Sequence, residues 1–397
     1  MRFGWTFVSF VEDADRGIVT LKNTEANELE EVHCQYLAGC DGGNSKVRKQ
    51  LGIALEGTVD VAQMYMVHFR SSARDVLQRW GDAWHCQSLN GTLIAQNDED
   101  IWTLHAPIPA GKTERDMDPR AVVSAFTGVD FDFEVLMANG WAPQLLVAEK
   151  YSQGRVFLAG DAAHQYVPTG GYSMNTGMGD AVDLGWKLAA TLRGWGGASL
   201  LTSYDQERRA IGLRNRGGSE RHVGVRFEIA MAMLSEDMAN SAAQTAKDAR
   251  ARVGARILEL GNAENEALGI EIGYRYDSSS VIFEESGEAP DDDLITYVPT
   301  TWPGSRLPSV FLKDGRAVFD ILDQGFTLIA FGDANVTAWT VEAERRGLPF
   351  SILRLNEAAV RSIYQRDYIL VRPDQHVGWR GDQLPDLGTI FDRVTGV

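Results

Sequence analysis

Residues 155–171 carry side chains of the types that bind a ligand at the end of a β-strand. The apolar stretch 155–160 is typical of a strand and delivers Asp161 at its carboxyl end, where open α/β sheets bind their ligands. A carboxylate at that position accepts hydrogen bonds from sugar hydroxyl groups. The pair Gly170 and Gly171 follows, and glycine lets the backbone approach a ligand closely because it has no side chain.

A helix is predicted directly after this loop. Apolar residues recur at helical spacing from about Asn175 to Arg193, with Gly194 placed to end the helix. The free N–H groups and the positive dipole end of such a helix would point toward the same place as Asp161. Either fragment alone is equally compatible with a plain connection between strand and helix. In this order, the fragments predict a site for a ligand with hydroxyl groups and developing negative charge.

A second turn between strand and helix lies at residues 36–53. Asp41 follows the end of a predicted strand, and Ser45 is placed to cap a short helix that carries Arg48 and two lysines on its first turns. Cations near a helix start do not stabilise the helix dipole, so they favour an anionic ligand or a nearby carboxylate. A capped surface helix with solvated charges is the alternative interpretation.

Together, these motifs resemble those of a known enzyme family. Residues 39–48, 160–164 and 168–177 look like the two downstream flavin motifs of single-component, FAD-dependent aromatic monooxygenases of the para-hydroxybenzoate hydroxylase fold. The C-terminal stretch 370–382, LVRPDQHVGWRGD, resembles the end of the phenol-hydroxylase and polyketide-hydroxylase branch, including rebeccamycin-pathway enzymes. The resemblance implies hydroxylation of a phenolic or polyketide-like aromatic substrate with NADPH or NADH and O2.

The resemblance also assigns cofactor contacts to both motifs. Asp161 would hold the ribityl chain of FAD, and the backbone at 171–175 would face the flavin pyrimidine edge, where a helix N-terminus stabilises negative charge. Asp41 and Arg48 match a motif implicated in contacts with FAD and with the nicotinamide cofactor. The expected cofactor-binding residues are Asp41, Arg48, Gly160, Asp161, Pro168, Gly170, Gly171, Ser173, Met174 and Asn175. No catalytic residue is assigned.

The chain departs from the family pattern in two places. Such proteins begin with a strand, a GxGxxG loop and a helix that bind the FAD pyrophosphate, and this fingerprint is absent from the 397 residues. Met1 aligns inside a later strand, so we expect an N-terminally truncated form; a fragment completed by a partner chain, or a degenerate relative without FAD, are the alternatives. Ser173 stands where the loop usually has another glycine, which the loop tolerates if its φ is negative.

Two other functions remain open alongside hydroxylation. One is a different flavin oxidation on the same fold, such as Baeyer-Villiger oxygen insertion. The other is a non-catalytic relative that has lost FAD and binds an aromatic ligand or a partner chain. Retention of Asp41, Arg48 and Asp161 disfavours the second alternative.

The predicted fold class is α/β with an α+β insert, because a Rossmann-like sheet is interrupted by a strand-rich segment. Strands are predicted at 2–10, 17–22 and 33–39 before the insert, and no helix precedes them. The final segment alternates strand and helix like a thioredoxin domain but lacks the redox CxxC motif. The predicted domains are 1–56, a remnant of the FAD-binding domain; 57–147, a substrate-binding sheet; 148–265, the rest of the FAD-binding domain; 266–308, a linker; and 309–397, the thioredoxin-like domain.

Composition narrows the expected partners. Asp and Glu number 55 against 38 Lys and Arg, for a net charge of -17, and without a basic block this excess disfavours nucleic acid and anionic membranes. Three cysteines without a disulfide or zinc spacing favour a reducing, cytoplasmic location. His68, His85 and His105 lack metal-ligand spacing, so no metal is expected. A small aromatic substrate is the expected partner, and a homodimer is the expected form of any assembly.

Overall fold

The computed structural model describes residues 1–13, 16–234, 244–261, 266–383 and 386–397. The predicted domain boundary at residue 265 lies outside the described residues. The chain forms two compact units. Unit 1 comprises Met1–Glu56, Leu146–His222 and Asn262–Val397, and unit 2 comprises Gly57–Leu145 and Val223–Gly261.

The described part of the chain contains eighteen β-strands. They are β1 (Trp5–Glu12), β2 (Gly17–Asn23), β3 (Leu29–Cys34), β4 (Leu37–Gly39), β5 (Leu55–Thr58), β6 (Met64–Arg70), β7 (His85–Ser88), β8 (Gly91–Ala95), β9 (Ile101–Pro107), β10 (Glu134–Trp141), β11 (Leu145–Ala148), β12 (Ser152–Gln153), β13 (Val156–Leu158), β14 (His164–Gln165), β15 (Phe326–Phe331), β16 (Phe350–Leu355), β17 (Tyr368–Val371) and β18 (Val377–Gly381).

The α-helices lie between and after these strands. They are α1 (Lys46–Gln50), α2 (Arg74–Leu77), α3 (Pro119–Thr127), α4 (Tyr172–Leu192), α5 (Ala198–Leu234), α6 (Gln244–Leu260), α7 (Leu268–Ile272), α8 (Thr337–Arg345), α9 (Ala358–Tyr364) and α10 (Leu387–Thr395). Among the helices described here, none combines the length and apolar character that crossing a lipid bilayer requires.

The first strands of unit 1 belong to two different sheets. β1, β2 and β3 form an antiparallel three-stranded sheet. β4 instead pairs in parallel with β13, which lies over 100 residues later in the chain. The prediction of one strand at 33–39 is therefore wrong, because the chain leaves the first sheet after Cys34 and enters the second at Leu37. Carboxyl ends of parallel neighbours meet at one edge, so β4 and β13 deliver their following turns to the same place.

Unit 2 contains a five-stranded antiparallel sheet in the order β10-β6-β9-β8-β7. Alternate residues of β6 and β9 face its core, where Val67, Phe69 and Leu104 are fully buried. Helix α3 packs its apolar side into the same core. It begins after Asp118, whose side chain accepts the Arg120 backbone N–H, which is the usual chemistry of an N-cap.

The C-terminal part of unit 1 forms a four-stranded sheet in the order β16-β15-β17-β18. β15 runs parallel to β16 and antiparallel to β17, with helices α8, α9 and α10 between and after the strands. This order is that of a thioredoxin-like fold. β15 is a central strand and is buried along its whole length, whereas β16 lies at the edge of the sheet and is mostly half-buried.

A group of charged side chains joins α4 and α5 to the residues after β17. We call it the buried ion cluster, and its members are Asp183, Lys187, Glu207, Arg372 and Asp374. Arg372 donates to both oxygens of Glu207, at 2.7 and 2.8 Å, and lies 3.0 Å from Asp183. Lys187 Nζ lies 2.8 Å from Asp183 and 2.6 Å from Glu207. All five side chains are at most 2% exposed, so the helices and the C-terminal sheet are tied through the interior.

Candidate functional site

The turn after β4 is built around the carboxylate of Asp41. This carboxylate accepts hydrogen bonds from the Ser45 hydroxyl at 2.5 Å and from the backbone N–H groups of Lys46 and Val47 at 2.7 and 3.1 Å. Partial burial opposes ionisation of Asp41, but these hydrogen bonds outweigh it and lower the pKa of the carboxyl. Ser45 in turn caps α1 by accepting the Arg48 N–H, as predicted from its position. Asp41 therefore fixes the start of α1 at the sheet edge.

Arg48 connects the two turns at this edge. Its guanidinium is buried and donates to the carbonyl oxygens of Gly43 at 3.2 Å and Ala162 at 3.0 Å. Burial lowers the pKa of Arg48, and nearby Asp41 partly offsets that effect. The side chain thus holds the turn after β4 against the turn after β13. Direct contact of Arg48 with a cofactor stays a prediction.

Asp161 lies at the end of β13 and is exposed. The Ser173 hydroxyl donates a hydrogen bond of 2.8 Å to Asp161 Oδ1. Ser173 belongs to α4, which begins at Tyr172, three residues before the predicted start at Asn175. Its backbone is helical, so the serine that departs from the family pattern causes no strain, and its hydroxyl orients the Asp161 carboxylate.

The glycine loop ends directly at the start of α4. Gly170 and Gly171 have φ values of 79° and 69°, in the left-handed region that side chains disfavour. A Cβ on Gly170 would also lie 2.6 Å from the Tyr172 ring. Gly171 occupies the N-cap position and has no side chain to bond the N–H groups of the first turn. These donors and the positive end of a 21-residue helix are left for a ligand.

The other predicted residues of this loop surround the helix start. Pro168 and Met174 are exposed, and Met174 retains 68% of its accessible surface. The Asn175 side-chain amide donates to the Gly171 carbonyl oxygen at 2.8 Å, which stabilises the backbone turn. The structure therefore brings the residues of the loop and Asp161 to one exposed edge, whereas Arg48 is buried beneath it.

Asp180 lies in the interior next to this edge and holds its turn in place through hydrogen bonds. It was not identified as functional from the sequence alone. Its fully buried carboxylate accepts the Gly160 N–H at 3.0 Å, His164 Nε2–H at 2.9 Å and Arg208 Nε–H at 2.8 Å. Burial opposes ionisation of Asp180, but Arg208 and His164 outweigh it and lower the pKa of the carboxyl. Arg208 also donates to the Thr176 carbonyl oxygen at 3.0 Å. Asp180 and Arg208 thus position the turn after β13 relative to the first turns of α4.

Close packing of two glycines completes this positioning. A Cβ on Gly177 would lie 3.0 Å from the Cα atom of Gly160, which is closer than side chains normally pack. Helix α4 can therefore rest directly on the turn that presents Asp161. In the sequence, only the helical spacing of Asp180 from Gly177 could have indicated its role, and nothing local indicated Arg208.

The arrangement fits the two parts of a flavin cofactor that the resemblance implies. An exposed carboxylate suits the hydroxyl groups of a ribityl chain. Uncapped N–H groups at a helix N-terminus suit an edge that becomes negatively charged, as the pyrimidine edge does on reduction. Both features follow from the contacts of Asp161 and Gly171 described above.

Comparison with known families gives the same assignment. Residues 1–216 match the family described as FAD binding domain, and residues 300–397 match the family described as aromatic-ring hydroxylase, C-terminal. An FAD-dependent monooxygenase of Penicillium oxalicum, opdD, is 33% identical over 410 residues, which cover 97% of this chain and 78% of that protein.

Two solved structures extend the similarity to the fold. RebC soaked with chromopyrrolic acid and holding 7-carboxy-K252c matches with a TM-score of 0.88 at 32% identity, over 99% of this chain and 74% of that chain. A ternary complex of aklavinone-11 hydroxylase with FAD and aklavinone matches with a TM-score of 0.77 at 27% identity, over 100% of this chain and 74% of that chain.

Proposed function

This chain belongs to the FAD-dependent aromatic-ring hydroxylases, and we propose that it hydroxylates a phenolic or polycyclic aromatic substrate at the edge formed by the turns after β4 and β13. The chain is thus a flavin-dependent monooxygenase of α/β fold with FAD as its cofactor. The similar proteins favour ring hydroxylation over oxygen insertion or a non-catalytic role.

The observation that carries the proposal is the meeting of Asp161 and the start of α4 at one exposed edge. When bound, FAD supplies the redox chemistry, since the flavin is reduced by NADPH or NADH and then activates O2 for transfer of one oxygen atom to the ring. Asp161, held by Ser173, would accept hydrogen bonds from the ribityl chain. The first-turn N–H groups after Gly171 would donate to the pyrimidine edge and stabilise its negative charge.

Asp41, Arg48 and Asp180 hold the two turns and the start of α4 in place. Asp41 and Arg48 hold the first turn to the second, and Asp180 holds the second turn to α4. We propose that residues 57–147 form the substrate-binding domain and that residues 148–265 complete the FAD-binding domain. Residues 266–308 connect it to the thioredoxin-like domain at 309–397. Residues 223–261 cluster with the insert in unit 2, so this functional division differs from the compact units.

The substrate and the assembly belong to the same proposal. RebC holds 7-carboxy-K252c and aklavinone-11 hydroxylase holds aklavinone, which supports a polycyclic or phenolic aromatic substrate here. Cys34, Cys40 and Cys86 are unpaired, which supports a reducing, cytoplasmic compartment. A homodimer is the assembly that we propose.

The test is product formation by the purified chain supplied with FAD. Phenol, resorcinol and a hydroxylated naphthoquinone are incubated with NADPH or NADH in air, and products are identified by mass spectrometry. We expect at least one substrate to gain a single oxygen atom derived from O2, with nicotinamide oxidation that the substrate accelerates. Flavin that is retained and reduced without any oxygenated product from an aromatic panel would contradict the proposal.

A further inference from the structure

A cavity of about 600 Å³ lies within unit 1 and is separate from the proposed flavin edge. Its described walls come from Gln206 on α5, from Arg393 on α10 and from residues 276–303, and they include no residue of the glycine loop or of the turn that holds Asp161. The volume falls within the range of small-molecule sites. Nothing in the proposed function uses this cavity, so its chemistry can be considered by itself.

Hydrogen bonds join the walls of this cavity to one another. Ser279 is buried, and its hydroxyl donates to Glu207 of the buried ion cluster at 2.5 Å. On the opposite side, Arg393 Nε donates to the Ile282 carbonyl oxygen at 3.1 Å. The first bond ties residues 276–303 to α5 and the second ties them to α10. The cavity is therefore formed before any ligand binds, as most small-molecule sites are.

Two of the three carboxylates in the walls are already balanced by arginines. Asp277 forms an ion pair with Arg275. Glu285 forms ion pairs with Arg366, at 2.7 Å, and with Arg380. Because their charges are balanced within the protein, neither carboxylate attracts a cation from solution.

The two remaining charges in the walls are opposite in sign. Glu284 is exposed and forms no ion pair with the described residues. Arg393 is half-buried, and no described residue accepts a hydrogen bond from its two terminal nitrogens. These nitrogens are not enclosed by protein atoms, so a ligand can reach them. With one unpaired charge of each sign, the cavity favours a ligand without net charge.

The unpaired polar groups of the walls include both donors and acceptors of hydrogen bonds. Arg393 and the indole N–H of Trp302 only donate, and the Glu284 carboxylate only accepts. The exposed hydroxyl of Ser278 does both. A ligand with several hydroxyl groups satisfies all of them, because each hydroxyl group both donates and accepts. The apolar part of the walls suits the carbon skeleton of such a ligand and comprises Ile282, Phe283, Trp302 and Pro303.

We propose that this cavity binds a neutral ligand with several hydroxyl groups on a small carbon ring, which is the chemistry of a sugar or a cyclic polyol. The site goes beyond the proposed function and does not depend on it. Arg393, Trp302, Glu284 and Ser278 are the residues that would recognise the hydroxyl groups.

The test measures the binding of methyl β-D-glucopyranoside and of myo-inositol to the full chain by ligand-observed NMR. The reference compound is tetrahydropyran-2-methanol, which keeps a ring but has a single hydroxyl group. We expect saturable binding of at least one of the two polyols, about tenfold or more tighter than that of the reference compound. Such a ratio corresponds to the loss of two or more hydrogen bonds of about 1 kcal/mol each.

Two variants place the binding in this cavity. Ala289 lines the cavity and is half-buried, so Ala289→Trp should fill part of it and reduce polyol binding by at least about tenfold without removing a hydrogen-bonding group. Ala26→Trp is the matched control, since Ala26 lies in an exposed turn and does not line the cavity. Ser278→Ala removes only an exposed hydroxyl and should weaken binding by about two- to fivefold.

Three results would overturn the inference. These are no saturable binding of either polyol to the wild-type chain, equal binding of the polyols and the reference compound, and polyol binding that survives Ala289→Trp unchanged. The comparison of ligands on the wild-type chain does not depend on the folding of any variant. Since no FAD or aromatic substrate is added, the outcome is also independent of the proposed function.

Discussion

The two halves of helix α4 use polar residues in opposite ways. At its start, Ser173 orients the exposed carboxylate of Asp161, and the first-turn N–H groups have no capping side chain. Further along, Asp183 and Lys187 are buried in the ion cluster with partners from α5 and from the C-terminal sheet. Helix α4 is thus anchored at one end by paired charges, while the N–H groups at its other end have no capping side chain.

Breaking the anchored half should have the largest effect. Arg372→Met leaves Asp183, Glu207 and Asp374 with Lys187 as their one cation in the cluster, and an uncompensated buried charge typically costs about 3–5 kcal/mol. We expect a loss of this size in the free energy of unfolding, measured with urea. The control is Arg345→Met, which removes a surface pair with Glu342 and should change stability little. Equal losses in the two variants would contradict the role of the cluster.

The same substitution, aspartate to asparagine, should have different effects at two positions of α4. Asp180→Asn removes the charge that pairs with buried Arg208 and should cost about 3 kcal/mol, with weaker FAD binding because the Gly160 turn loosens. Burial and the neighbouring carboxylates, Glu207 foremost, raise the pKa of Asp183 well above its usual value despite Lys187 and Arg372. The charge on Asp183 is thus disfavoured by its surroundings, whereas that on Asp180 is favoured, so neutralising Asp183 in Asp183→Asn should cost clearly less. Urea unfolding and FAD titration measure both variants, and the reverse order would contradict this assignment.

Lowering the pH should reduce the stability that Glu207 contributes through the buried ion cluster. Burial opposes ionisation of Glu207, but Arg372 and Lys187 outweigh it and lower its pKa from 4.5 to about 2. As the pH falls, Glu207 is therefore protonated in the unfolded state before it is protonated in the folded state. Its contribution to the free energy of unfolding is complete above pH 4.5 and is lost as the pH falls toward 2.

The difference between wild type and Glu207→Gln isolates this contribution. Asp183 acts in the opposite sense, since its raised pKa makes its contribution greatest at low pH. We expect the stability advantage of wild type over Glu207→Gln in urea unfolding to shrink between pH 4.5 and pH 2. An advantage that stays constant across this range would show that Glu207 is not ionised in the cluster.

The smallest effect is expected at the exposed start of the helix. Ser173→Ala removes the hydroxyl that orients Asp161 but leaves the helical backbone unchanged. We expect FAD binding to weaken by about two- to fivefold, as for loss of a hydrogen bond of about 0.5–1 kcal/mol, with no change in urea unfolding. Tighter FAD binding would show that Ser173 competes with the cofactor for the carboxylate.

The local parts of the site could be predicted from the sequence, and the long-range parts could not. The strand, glycine loop and helix around Asp161 lie within 40 residues, so periodicity and turn residues sufficed to place them. The parallel pairing of β4 with β13 joins segments over 100 residues apart, and no local spacing encodes it. The prediction of one strand at 33–39 failed for the same reason, since its end belongs to that distant pairing.

Buried charges were the second kind of feature that the sequence concealed. Asp180 and Arg208 lie 28 residues apart, and Glu207 and Arg372 lie 165 residues apart. Each of these side chains would be interpreted as solvated when met in an amphipathic helix or a loop. Only tertiary packing removes them from water, and their pairing then becomes a requirement of the fold.

We propose that the open start of α4 binds FAD together with Asp161, while the buried half of the helix serves the fold. The most direct test is the dissociation constant of FAD, measured by fluorescence titration of wild type and Asp161→Ala. We predict at least tenfold weaker binding in the variant, with an unchanged free energy of unfolding in the absence of FAD. Equal FAD affinity in the two proteins would contradict the claim.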